Sequence, residues 1–470
     1  MAIITVTGAS GSSVQVTVDG SQQSSLVQHA SSVAAQLSGD LANLDIRDLT
    51  SGSDSFSNQR GYGVITAAGS YQVSGNASWL TVGGISDTLA GAVSVDATGV
   101  THALTVLGGA GGINFTAGSQ GGQFTGGAGD NTFNGNSSGG NWDIRTGYGN
   151  DTINSGNGDN TINAGGGANQ IILGSGVNSV ISEGQDTITA SSGTQSITLN
   201  GASSTVNVGD NSLVTSNAPL GGQNITVGSN STVYGSNSTI SGAKGDTISL
   251  SGSTGTVFGG NQGTIGAGQG NFVVNQADNA NVNIAGDLTF RGGTGETTIS
   301  AGKSTVFGAD GLDVTMDATS ASSLFVATVG NETLNAASSV FGIHAFGADS
   351  GTTQQTMIGG TGADTLVAGT GNATLTGGSG AANVFGFRNG VAGADYTITD
   401  FGSAAGNQVL LVDYDKYYGG SNSSAFQKVL DNAEHSTKNG VASTTITLAD
   451  NSKITFDGVS SLTAKDFTGF

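Results

Sequence analysis

The chain has no cysteine, one proline among 470 residues, and only 12 lysines and arginines. Without cysteine there is no disulfide framework and no thiol nucleophile. One proline beside 82 glycines excludes the collagen triplet, which needs glycine at every third place and abundant proline. The 33 acidic residues outnumber the basic ones and leave a formal net charge of −21. No nucleic acid is expected as a partner, because phosphate binding needs a basic face. No stretch approaches the roughly 18 consecutive apolar residues of a membrane helix, so the chain does not read as transmembrane. The opening MAIITVTGASGSS lacks a basic n-region and an apolar h-region, so no general-secretion leader is expected.

Catalytic sets are missing as well. None of the four histidines forms H-E-x-x-H, and no G-x-S-x-G elbow follows a hydrophobic strand. The many GxG triplets lack a surrounding βαβ unit. A polysaccharide lyase or epimerase needs a base and a charge-neutralising group converging on one face, and the basic residues here are scattered. The polar-aromatic cluster at 413–418 (DYDKYY) reads as a loop packed against the tail. The chain is therefore not read as an enzyme.

What is present is a nine-residue beat. It runs through 126–134 (GGAGDNTFN), 137–145, 146–154 (TGYGNDTIN), 155–163, 164–172 and 173–181, broken only at 135–136. The fourth place is always glycine, as in Gly129, Gly149 and Gly167. The eighth place is always apolar: Phe133, Ile144, Ile153, Ile162, Ile171, Val180. A turn needing an unhindered backbone, then one inward side chain, explains both columns. One repeat cannot bury its apolar residue alone, but stacked repeats can. The fold class is read as all-β: a parallel β-roll or β-solenoid with a small N-terminal α+β or β head and a β-rich C-terminal tail unit.

The expected organisation is a head over 1–105, a regular β-roll over 106–181, an irregular continuation over 182–358, returning nonapeptides over 359–385 and a tail over 386–470. In the head, 3–7 and 14–18 alternate like strands. Leu26, Val33, Leu37, Leu41 and Leu44 predict a helix over 24–44, with Ser24 or Ser25 as its cap. In the tail, Phe426, Val429 and Leu430 predict a short helix over 424–432, followed by strands at 444–448 and 453–456. Trp142 and Tyr148 read either as an exposed aromatic strip or as cover for a solenoid face.

GGTGADTLV (359–367) matches G-G-x-G-x-D-x-U-x in full, and so resembles the glycine- and aspartate-rich repeat of the RTX family. The stretch at 383–412 resembles the segment that closes many RTX arrays. TTITLADNSKITFDGVSSLTAKDF (444–467) looks like the end of proteins exported by type I secretion. The resemblance implies Ca2+ in the turns, gripped by sixth-place aspartates two repeats apart with backbone carbonyls. It also implies type I secretion machinery reading an uncleaved C-terminal signal. Ca2+ takes six to eight oxygens, which carboxylates and loop carbonyls supply. The sixth place here reads Asn131, Trp142, Asp151, Asn160, Asn169 and Asn178, then Asp364, Ala373 and Ala382. Asp151 and Asp364 are the leading metal candidates. Asp130 and Asp159, one place early, Asp186, Glu296 and the amides Asn131 and Asn169 follow; Asp395 and Asp400 are ligands or turn formers. The other reading of this column is an asparagine ladder that needs no metal.

The expected function is a secreted, extracellular structural protein, associated with the cell surface or free, that self-assembles into a layer, filament or biofilm matrix stabilised by Ca2+. The partners expected are further copies of the chain (a homo-oligomer) and a cell-surface polysaccharide. An extracellular adhesin or glycan-binding protein is the alternative.

Overall fold

A computed structural model describes residues 2–8, 11, 13–18, 24–83, 91–135, 137, 139–349, 353–389, 393–420 and 423–469. The interruption of the beat at Asn136 lies outside the described residues. Two compact units are present, Met1–Ile240 and Ser241–Phe470. No helix among the described residues is long and apolar enough to cross a membrane.

The first unit opens with an antiparallel hairpin, Ala2–Thr7 against Ser13–Val18, and a helix, Ser24–Asp40. Leu26, Ala30, Val33, Ala34 and Leu37 recur at three- and four-residue steps and form the buried stripe of that helix. The stripe packs with Ile4, Val6, Val14 and Val16 onto Tyr62, Val64, Trp79 and Leu107, which belong to the stack that follows. Hairpin and helix therefore cover a flank of the coils. The helix is shorter than its leucine spacing predicts. Ser24 and Ser25 are its first two residues and not its cap, and Leu41–Asn43 forms a separate 3-10 turn. Leu44 follows in extended conformation and is still buried.

Parallel pairing begins at Asp45–Asp48, well inside the stretch read as the head. Two long strands, Gly52–Ile65 and Gly69–Val82, run through what later become two faces. The first half of Gly69–Val82 pairs with Val93–Val100 and its second half with Leu104–Gly108. From there each strand pairs in parallel with the strand two places on, so two nonapeptides make one coil. A three-residue strand such as Thr152–Asn154 exposes its outer residues and turns Ile153 inward. In-register pairing then stacks the eighth-place residues: Phe115, Phe133, Ile153, Ile171, Ile188, Val206 and Ile225 on one face. Each is no more than 1% exposed, and burial of such a side chain contributes about 1.5–3 kcal/mol. The register persists through residues 182–240, where the nine-residue beat fades.

The second unit repeats the plan. Asn281–Arg291 and Gly295–Phe307 are long strands joining two faces, and paired coils follow to Gln408–Val412. Its end differs. Lys453–Asp457 adds in parallel to Asp395–Ile398, then pairs antiparallel with Val441–Thr447, which pairs antiparallel with Glu434–Lys438. A helix, Ser423–Leu430, seats Phe426 on Phe467 at a centroid distance of 5.4 Å. The antiparallel strands and this helix close the stack. Tyr414 is buried and its hydroxyl donates to Asp450 at 2.8 Å, so this residue of the 413–418 cluster packs within the tail, while Asp413, Asp415, Lys416 and Tyr417 are exposed.

The fourth-place glycine is needed where coils touch. Gly167 has φ +111°, and a Cβ there would meet the Gly149 carbonyl oxygen at 1.8 Å. Gly111, in the same unit, has open space around its Cβ position. Gly167→Ala is expected to cost about 1–3 kcal/mol or more, and Gly111→Ala to leave stability within about 1 kcal/mol, in denaturant unfolding at fixed Ca2+.

Candidate metal centre

At Asn131, Asp151, Asn160 and Asn169 the sixth place is the last residue before a short strand, and its side chain turns into the stack. Asn131, Asp151, Asn169 and Asp186 follow one another on one face; each is 1–2% exposed. They form a ladder that ties coil to coil. The Ile113 N–H donates to Asn131 Oδ1 at 3.2 Å, the Asn131 N–H to Asp151 Oδ1 at 2.7 Å, the Asp151 N–H to Asn169 Oδ1 at 2.8 Å, and the Asn169 N–H to Asp186 Oδ1 at 3.0 Å. The opposite face does the same: Trp142 N–H to Asn160 Oδ1 at 2.9 Å and Asn160 N–H to Asn178 Oδ1 at 3.1 Å. Beyond the regular beat the ladder continues, with the Asp186 N–H donating to Ser204 Oγ and the Ser204 N–H to Gln223 Oε1. Every acceptor reaches back to the preceding coil.

A second, exposed ladder runs the other way. The fifth-place side chain reaches forward: Asn150 N–H donates to Asp130 Oδ1 at 2.7 Å, and Val177 N–H to Asp159 Oδ1 at 2.8 Å. Asp130 and Asp159 are thus turn fasteners at the surface, apart from the buried column. Glu296 is also exposed and outside the ladder; its own N–H donates to Asn279 Oδ1 at 3.1 Å. Asp395 is exposed, and Asp400 accepts the Gly377 and Gly378 N–H groups at 2.8 Å each, as a turn former does. Trp142 is 3% exposed and packs edge-on against Phe115 and Phe133, so it covers the interior and forms no surface strip.

The inner ladder leaves one requirement in each coil corner. Turn carbonyl oxygens point at the sixth-place side chain and need a positive group. Asn131 supplies one: its Nδ2 donates to Gly129 O at 2.6 Å and to Asp151 Oδ1 at 3.0 Å. Asn160 Nδ2 donates to Gly158 O at 3.0 Å, and Asn169 Nδ2 to Ala164 O at 3.1 Å. Ser212 and Ser231 do the same through their hydroxyls, to Gly209 O and Gly228 O. In these corners the amide or hydroxyl hydrogen already satisfies a turn carbonyl.

An aspartate has no hydrogen to offer. Asp151 Oδ2 and Asp186 Oδ2 are buried with no hydrogen-bond partner. Burial pushes the Asp151 carboxyl up to about 6, against the pull of hydrogen bonds from Asn131, and raises Asp186 as well. A hard cation satisfies such a corner, since oxygen is the ligand Ca2+ prefers. Bound there, it would neutralise a buried charge and bridge carboxylate and carbonyl oxygens. No cluster of three or more Asp, Glu, His or Cys suited to a metal exists among the described residues, so carbonyls and water must complete any shell. Asp364, also buried, is better satisfied. Its Oδ1 accepts the Ile343 N–H at 2.7 Å and its Oδ2 the Gly360 N–H at 2.9 Å, while burial raises its carboxyl. Its own N–H donates to Asn383 Oδ1, so a ladder also runs through the second unit.

The sixth-place rule also finds Glu332. Gly330-Asn331-Glu332-Thr333-Leu334 has glycine, acid and apolar residue at nonapeptide spacing, a signal obscured by the longer side chain and the missing first glycines.

The model of the RTX calcium-binding nonapeptide repeat matches four copies, in residues 145–180 and 356–383. These segments are RTX repeats, a calcium-binding motif, and proteins that carry them are typically secreted. No curated protein and no solved structure matches the chain.

Asp151 dictates a pH signature. Its folded carboxyl holds a proton to about 6, while the unfolded carboxyl releases it near the ordinary value of 3.8. In Ca2+-free buffer its stabilising contribution is complete below the unfolded value and is lost as pH rises through about 6. Thermal melts should show Asp151→Asn lacking about 3 kcal/mol of that decline, and Ca2+ should restore the wild-type stability above pH 6.

Proposed function

We propose that this chain, which carries RTX calcium-binding repeats, is an extracellular structural protein that leaves the cell by type I secretion and assembles with copies of itself into a layer, filament or matrix. The observation that supports this reading is an open strand edge within the first unit. In the first unit, Asp45–Asp48 and the Gly52–Phe56 half of the next strand pair on one side only among the described residues. An unpaired parallel edge is a template for another chain. The second unit, by contrast, closes with antiparallel strands and a helix.

The net charge of −21 supports the coupling of folding to export. Self-repulsion and buried carboxylates oppose compaction where free Ca2+ is scarce, and cation binding to the folded form favours it outside. The tail at 386–470 is the part read as the export signal.

A second reading, adhesion to a cell-surface polysaccharide, is favoured by the flat outer columns. Thr187, Thr205 and Asn224 stand exposed in register, one strand spacing of about 4.8 Å apart. A repeating polar array of this kind suits a repeating polar ligand.

Expression beside a type I exporter tests export: the full chain should accumulate in the medium and a chain lacking 386–470 should stay inside. Equal release of both would sink the secretion reading. Negative-stain imaging of the purified chain should show ordered assemblies in Ca2+ and none in EGTA. Monomers at high protein and Ca2+ concentration, with retention on a glycan array, would favour the adhesin.

A further inference from the structure

The N-terminal helix closes over an under-bonded seam. In the first coils two columns of side chains point outward from one face. Tyr62, Trp79, Thr105, Gln123 and Asp143 form one; Val64, Thr81, Leu107, Thr125 and Arg145 form the other. Outward residues of a solenoid are ordinarily exposed, yet Tyr62, Val64, Thr81, Leu107 and Thr125 are no more than 1% exposed. The hairpin and the helix Ser24–Asp40 pack over this face. Four polar atoms are buried there without a hydrogen-bond partner: His29 Nε2 on the helix, and Trp79 Nε1, Gln123 Oε1 and Thr125 Oγ1 on the coils. Polar groups left unmade weaken the contact that buries them. The helix is also poorly held by its own ends. No acid stands in its first turn and no base in its last, where Asp40 opposes the dipole.

His29 meets the coils beside Arg145 and Asp143. Those two are bonded to each other: Arg145 Nε donates to Asp143 Oδ1 at 2.9 Å, and Arg145 Nη2 to Asp143 Oδ2 at 3.2 Å. Both carboxylate oxygens are engaged, so an imidazolium at His29 would face a guanidinium whose counter-charge is already used. The other packed elements offer no substitute among the described residues. The hairpin strands AIITVT and SVQVTV carry no charge, and neither do 77–82, Leu104–Gly108 or Gly122–Thr125. The helix is uncharged before Asp40, which Arg60 pairs at 3.2 Å at its far end. Asp45 is paired with Arg47, Asp48 lies towards Tyr62, and the Tyr62 hydroxyl is bonded to Thr81 at 2.9 Å. Burial and Arg145 hold the imidazole below its ordinary value of 6.5, against a weaker pull from Asp143.

We propose that the hairpin and helix form a strap that lifts from the coils when His29 takes up a proton, baring Tyr62, Val64, Trp79 and Leu107. A lifted strap returns His29 to water and to its ordinary value, so the proton favours the lifted form. The strap's hold is complete above 6.5 and is lost as pH falls below it. Within that window the lifting equilibrium moves by up to about tenfold per pH unit.

The chain has two tryptophans, Trp79 under the strap and Trp142 in the interior against Phe115 and Phe133, so fluorescence reads the event. Acrylamide quenching of the full-length chain is followed from pH 7.5 to pH 5 at saturating Ca2+, with far-UV circular dichroism reporting on the coils. Wild type is expected to gain a quenchable tryptophan as pH falls below 6.5, and Trp79→Phe to show no gain. His29→Gln is neutral throughout and should keep Trp79 shielded across the range. Arg145→Met frees Asp143 to face the imidazolium and should do the same, which keeps the test available where His29→Gln fails to fold. A flat wild-type profile, or the wild-type acid step retained in His29→Gln or in Arg145→Met, overturns the strap. A step that coincides with loss of the far-UV signal in all these proteins would show general acid unfolding and overturn it as well.

Discussion

The structure depends on one interaction: a buried side-chain oxygen accepting the backbone N–H of the preceding coil. Parallel strands of three residues, such as Thr152–Asn154, make too few ladder bonds to hold a coil by themselves. The sixth-place acceptor adds a bond in the interior, where it is sheltered from water, and the fifth-place acceptor adds one of opposite direction at the surface. Between the two, each corner is fixed in both senses along the chain. The apolar column of Phe133, Ile153 and Ile171 then packs against a frame that cannot slip.

The same acceptor decides where a cation is wanted. Orienting a side-chain oxygen toward one backbone leaves the rest of the group facing turn carbonyls. An amide or hydroxyl satisfies them with its own hydrogen, as Asn131, Asn160 and Ser212 do. A carboxylate cannot, and Asp151, Asp186 and Glu332 are left with a bare oxygen. Amide and cation are thus two fillers of one kind of corner. A stack can be tuned between metal-free and metal-dependent by exchanging Asn for Asp, with little change of shape. The asparagine ladder and the bare-carboxylate corner, opposed readings at the level of sequence, stand side by side in one stretch of coils.

The regular array was readable because glycine and the eighth-place residue recur at fixed spacing. The continuation through 182–240 was readable only as an irregular one, for a physical reason. Serine and glutamine can fill the acceptor role of asparagine, as Ser204, Gln223 and Ser231 show, so the letters change while the bond persists. The early coils were concealed by Tyr62 and Trp79, which are buried under a helix and so do not alternate with polar residues. Among candidate ligands, the sixth-place column set Asp151 apart from Asp130 and Asp159 by spacing, but their direction, inward against outward, needed coordinates. Glu332 was missed because its glycine, acid and apolar residue stand without the first two glycines of a repeat and with a longer acidic side chain.

Hydrogen exchange resolved by peptide, with and without Ca2+, tests the central claim most directly. If amide and cation fill equivalent corners, backbone amides at Trp142 and Asn160, whose acceptors are asparagines, keep their protection in EGTA. Those around Asp151, Asp186 and Glu332 lose protection there and regain it with Ca2+. Uniform loss along the whole stack on removing Ca2+, Asn-cornered coils included, would contradict the account.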